Sequence, residues 1–155
     1  ADVLPRHIGH EGRSQRLEAQ LAERLRVPND CHELAQVVAR EHGNIHRSGE
    51  LGAAALVRLL IRCDALRKPA RFADVLLACE CDARGRAGLQ ERPYPPRQRL
   101  PGVLAAAQGV DTAAIAQAAQ ARGAKGEAIG KAVEQARVQA VAAWLAGPDA
   151  APQYS

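Results

Sequence analysis

The chain has 155 residues, of which 25% are charged and 3% aromatic, with a formal net charge of +4 and a pI of about 9.2. That length suits one domain or part of a larger protein, and it is enough to bury a core. Arginine or glutamate interrupts every apolar run and no secretory leader opens the chain, so a bilayer-spanning helix is excluded and a soluble, cytoplasmic protein is expected.

Abundant alanine, leucine and valine with few aromatics favour closely packed helices, so the expected fold class is all-α, a helical bundle. The basic balance allows a polyanionic partner, although the arginines are interleaved with glutamate rather than massed in one tract. Cys31, Cys63, Cys79 and Cys81 lack C-x-x-C spacing and the density of a disulfide scaffold, so reduced thiols are expected. The first residue is Ala1 and there is no methionine, which fits a processed start and equally a piece of a longer protein.

From His10 to Leu25, Leu17, Leu21 and Leu25 recur every four residues among charged side chains, the pattern of an amphipathic helix. Asn29 or Asp30 is placed to cap a second helix that runs to about His42, where Gly43 and Asn44 are stop signals. A third helix is expected from Ala53 to Cys63. Pro69 suits a helix start, and a fourth helix is expected from there to Gly85 or Gly88. The proline-rich "ERPYPPRQRLP" reads as an irregular connection with polyproline character. Beyond it two short helices and one long one are expected, Asp111 capping the second, before a frayed tail "GPDAAPQYS".

Helical spacing assigns polar residues to faces. His10 shares a face with Leu17 and Leu21, His42 with Ala35, Val38 and Ala39, and Asp82 with Val75, Ala78 and Cys79. In one reading the histidines are hydrogen-bonded at the core rim, while Asp82 pairs with Arg86 and Glu80 with Arg84 one turn on. In the other they converge on a metal or phosphate. Cys79 and Cys81 point to opposite sides and suit core thiols better than zinc. Gly43 and Asn44 separate His42 from His46 and are expected to spoil their shared face. "GAKGEAIG", Gly123 to Gly130, offers either backbone amides and Lys125 to a phosphate or a solvated helix start. No nucleotide-binding glycine loop and no nucleophile elbow is present.

The segments "LPRHIGHEGRS", "RLRVPND", "VAREHGNIHR", "RCDALRKPARFADVLLACECDARGR" and "ERPYPP", in this order, closely resemble the C-terminal half of bacterial CCA-adding enzymes, the tRNA nucleotidyltransferases. The resemblance runs from about Leu4 to Trp144. It implies a tRNA partner, and a parent protein whose N-terminal head binds Mg2+ and selects CTP and ATP. In one branch it also implies an HD-type phosphohydrolase domain with a divalent metal such as Ni2+. On that resemblance His7, His10 and His42 match histidine positions of the HD domain, and Asp82 corresponds to its closing aspartate. Residues 1–90 would then be the remainder of an HD-like domain, 91–101 a connection, 102–146 the C-terminal helices and 147–155 a tail.

The departures carry weight. No His-Asp dipeptide occurs and no strand-rich head precedes Ala1, so this chain alone is expected to hold no metal or other cofactor and to be inactive in both chemistries. Cys81 stands where the family has alanine, and Pro101 falls within what the family forms as a continuous helix, so that segment is expected to start later. Arg84, Arg86, Arg92, Arg97, Arg99 and Lys125 are the candidate RNA contacts, with Tyr94 as a stacking face; a structural corner in which Glu80, Asp82 and Glu91 neutralise the arginines is the competing reading. A metal-dependent phosphohydrolase using His7, His10, His42 and Asp82, and a helical interaction module without RNA, are the alternative functions. Exposed helix faces also leave self-association open.

Overall fold

In the computed structural model of the chain, residues 15–16, 29–86 and 92–151 are described here. Six helices of ten or more residues lie among them, with no strand: α1 Asn29–His46, α2 Ala53–Arg62, α3 Pro69–Arg84, α4 Pro95–Gln108, α5 Thr112–Ala121 and α6 Glu127–Leu145. Residues 15–16 are also helical; the rest of the amphipathic helix expected from His10 to Leu25 lies outside the described residues. The all-α expectation holds.

α1 continues one turn beyond the expected stop at His42. Glycine inside a helix costs about 1 kcal/mol relative to alanine. Ile45, fully buried beyond Gly43, returns about 1.5–3 kcal/mol of apolar burial, so packing outweighs the local stop signal. Asn44 does not act as a cap; its amide donates to the Glu41 carboxylate at 2.9 Å.

α2 buries Leu56, Val57, Leu59 and Leu60, and ends in a Schellman turn in which Asp64 N–H donates to Ile61 O and Ala65 N–H to Leu60 O. Asp64 occupies the left-handed position of that turn, at φ 53°, where glycine is commoner. α3 starts at Pro69 and stops before Gly85, burying Phe72, Val75, Leu76 and Cys79 at three- and four-residue spacing. Glu33 of α1 clamps this start, accepting from Lys68 at 3.1 Å and Arg71 at 2.9 Å; the Lys68 hydrogen bond holds its carboxyl below the usual range.

The largest departure concerns "ERPYPPRQRLP". Residues 95–101 are helical, the first half of α4, and not an irregular connection. Pro95 and Pro96 fill the first turn, where a missing N–H costs nothing, and Tyr94 before them, at φ −115° and ψ 87°, lies outside the α region that a following proline disfavours. Pro101 lies inside the helix and does not delay its start; burial of Leu100, Val103, Leu104 and Ala107 around it offsets the lost hydrogen bond. Asp111 caps α5 as expected, accepting from Ala114 N–H at 3.0 Å. The expected frayed tail begins instead with a 3-10 turn, Pro148–Ala150, and residues 152–155 lie outside the described residues.

α1 packs on α3, while α6 packs on α2, α4 and α5. One apolar cluster runs through both groups, from Val37 and Ile45 through Phe72 and Leu100 to Val141. At Gly102 the α4 backbone approaches α6 so closely that a Cβ there would stand 2.2 Å from Trp144 Cζ2. This glycine is required by proximity, not by an unusual dihedral angle.

Candidate functional site

Glu80 organises the corner where α3 faces the start of α4. It is 18% exposed and accepts from Arg84 Nε on one oxygen and from Arg97 Nη1 on the other, both at 2.9 Å. Both arginines remain about 40% exposed. The Glu80–Arg84 pair was legible from spacing; the Arg97 partner, seventeen residues on, was not. Arg99 is drawn to the other side of α4, donating to the Ser48 carbonyl at 3.0 Å. Arg86 reaches Asp82 at only 3.8 Å and is exposed, as is Arg92. Glu91 lies outside the described residues.

Asp82 does not extend a buried stripe. Its side chain is half exposed and bonds His46 Nε2 at 3.1 Å, while His46 Nδ1 meets the Tyr94 hydroxyl at 2.6 Å. His46 thereby joins the end of α1, the last turn of α3 and the residue preceding α4. Reading the helix as ending at His42 concealed it; the four-residue spacing of His42 and His46 was the available signal. The two rings meet edge to face, with centroids 5.7 Å apart. Tyr94 is correspondingly not an open stacking platform: its ring packs edgewise on His46 and against the core. Burial, then the nearby Cys79, Asp82 and Glu80, push its phenol well above the usual range.

His7 and His10 lie outside the described residues. His42 Nδ1 is bonded to the Val38 carbonyl at 3.0 Å in its own helix. Among the described residues no three histidine, cysteine, aspartate or glutamate side chains cluster to hold a metal. Cys79 is buried and Cys81 exposed, the opposite orientations their spacing requires; all four thiols are free. Burial raises the Cys63 and Cys79 thiols to about 12.

Lys125 is exposed in the turn before α6, flanked by Gly123 and Gly126 at positive φ. The amides of Ala128, Ile129 and Gly130 are already taken by the Lys125 and Gly126 carbonyls, which removes most of the backbone cradle the glycine-rich sequence suggested. A cleft of about 530 Å³ opens elsewhere, between the starts of α1 and α3, lined by Cys31, Glu33, Lys68 and Arg71 among others. None of the expected contact residues lines it.

No family model and no solved structure matches the chain. Curated relatives do. A multifunctional CCA protein of Paracidovorax citrulli is 72% identical over 94% of this chain, and one of Variovorax paradoxus is 70% identical over 91%. The protein of the same name from Burkholderia cenocepacia is 63% identical over 94%. The chain spans only about a third of their length, 35%, 34% and 35% respectively. Over nearly its whole length, then, this chain is a counterpart of the C-terminal part of the multifunctional CCA proteins.

Proposed function

We propose that the chain is a tRNA-docking portion of a CCA-adding protein, holding tRNA by shape and phosphate contacts while another part of such a protein adds nucleotides. The observation that carries this reading is the match, at up to 72% identity, to proteins named for CCA. The charge of +4 and the half-exposed arginines of the Glu80 corner support it.

Glu80 holds Arg84 through Nε and Arg97 through Nη1, and the remaining Arg97 donors suit phosphate oxygens in the forked geometry that arginine favours. Arg86, Arg92 and Lys125 add exposed charge, whereas Arg99 is committed to Ser48 and acts as a brace between elements. Such contacts recognise the A-form backbone without reading sequence. The CTP, ATP and Mg2+ chemistry is assigned to the remaining two thirds of such a protein, so neither nucleotide should alter RNA binding by this chain.

The test is fluorescence anisotropy over a salt series, with labelled tRNA lacking its CCA end and an unstructured RNA of equal length. Preference for tRNA that weakens as salt rises is expected. Equal weak binding to both, or none, would refute docking.

A further inference from the structure

Glu41 places a charge in the middle of an apolar stripe. Only 2% of it is exposed, between buried Val37 and Ile45 on the same face of α1. Arg62, the last residue of α2, donates from Nε to Oε1 at 2.9 Å and from Nη2 to Oε2 at 3.4 Å, and Asn44 donates to Oε2 at 2.9 Å. Arg40 reaches Oε1 from Nε at 3.4 Å, while its Nη2 donates to the Arg62 carbonyl at 2.9 Å and closes the end of α2.

One cation would neutralise this carboxylate, yet it holds two, and their side chains stay 40% and 43% exposed. Arg58, one turn before Arg62 on α2, is exposed as well, and Ile61 between them is 45% exposed. Two arginines therefore hold one buried carboxylate, and a third, Arg58, stands one turn along α2 from Arg62. In Arg40 and Arg62 the inward bonds use Nε and Nη2, and no other group among the described residues takes Nη1. Guanidiniums fixed in this way lose little rotamer freedom when a ligand arrives, which lowers the cost of binding. The Glu80 corner has the same design: a shielded glutamate presenting two half-exposed arginines.

We propose that Arg40, Arg58 and Arg62 form a second phosphate-contact surface, which takes the sugar-phosphate backbone of the docked RNA, with Ile61 as an apolar contact for ribose. The proposal rests on the RNA-docking reading above and locates a surface that reading does not contain. An acidic protein segment is the competing occupant.

Arg58→Gln breaks no ion pair among the described residues, so its thermal melt should match that of the parent chain. In the tRNA salt series it should weaken binding several-fold and lower the slope of log K against log salt by about one contact's worth, roughly 0.7–0.9. Arg62→Lys, which keeps the charge but loses the fork, should also weaken binding. If the parent chain shows no preference for tRNA, the docking reading fails and this surface falls with it. If the parent prefers tRNA but both variants bind with unchanged affinity and slope, this surface alone is overturned. Polyglutamate that displaces tRNA at equal charge concentration, with the same dependence on Arg58, would overturn the assignment to RNA.

Discussion

Gly102→Ala should destabilise the chain although it replaces a helical glycine with the best helix former. Propensity alone favours the substitution by about 1 kcal/mol. The new methyl would lie 2.2, 2.8 and 2.9 Å from three carbons of the Trp144 indole. Carbon atoms pack at about 3.5–4.0 Å, so the ring must retreat by more than about 1 Å or α4 and α6 must separate. Overpacking of this kind costs about 1–3 kcal/mol, which leaves a net loss of about 1 kcal/mol. For a chain of this size the melting temperature should fall by about 2–4 °C. Trp144 is the only tryptophan, so its fluorescence reports the displacement directly; the emission should move to longer wavelength as the half-buried ring gains water. Combining the change with Trp144→Phe should recover part of the loss, as expected for coupled neighbours. A more stable Gly102→Ala protein with unchanged emission would refute the close approach of α4 to α6.

Four further outcomes follow from buried or bonded groups. Cys31 and Cys81 should react with a thiol reagent in the native protein, and Cys63 and Cys79 only after denaturation; four equally fast thiols would contradict the core placement. Unfolding releases those two thiols from about 12 to the ordinary value of 9.0, so above pH 9 the unfolded state binds fewer protons than the native one. Stability measured in urea should therefore be intact below pH 9 and decline steadily above it, and the Tyr94 phenol, also raised, should add to the decline from about pH 10. Tyr94→Phe removes the hydrogen bond to His46 and should cost about 1 kcal/mol in the same assay. Ser48→Ala deletes a buried hydroxyl that has no hydrogen-bond partner among the described residues and should be neutral or stabilising by up to about 1 kcal/mol; a clear loss would contradict this.

The parts of the fold that local chemistry decides were readable from the residues. Pro69 and Gly85 bracket α3, Asp111 caps α5, and the two-residue step from Cys79 to Cys81 separates a buried thiol from an exposed one. The errors came where tertiary burial overrules a local signal. Gly43 and Asn44 look like a stop until Ile45 has a core to enter, and the prolines of "ERPYPP" look like a breaker until two of them occupy a first turn. The corner arginines were visible as a list, but their partition between Glu80, Asp82 and the Ser48 carbonyl depends on contacts between elements. Glu41 carried no local signal at all. It lies on the α1 face that Val37 and Ile45 bury, and the arginines that make its burial tolerable lie one position before it and twenty-one after it in sequence.

The prolines of α4 also bear on the unfolded chain. A proline ring fixes φ near −65°, close to the helical value, whether or not the protein is folded. Three of the first seven residues of α4 are therefore held near helical φ before any contact forms, and Tyr94 is biased away from the α region, which it also avoids in the fold. Ordering this stretch removes less backbone freedom than ordering an equal length of α5, which contains no proline. The segment most like a helix breaker is thus among those with the least conformational freedom to lose on folding.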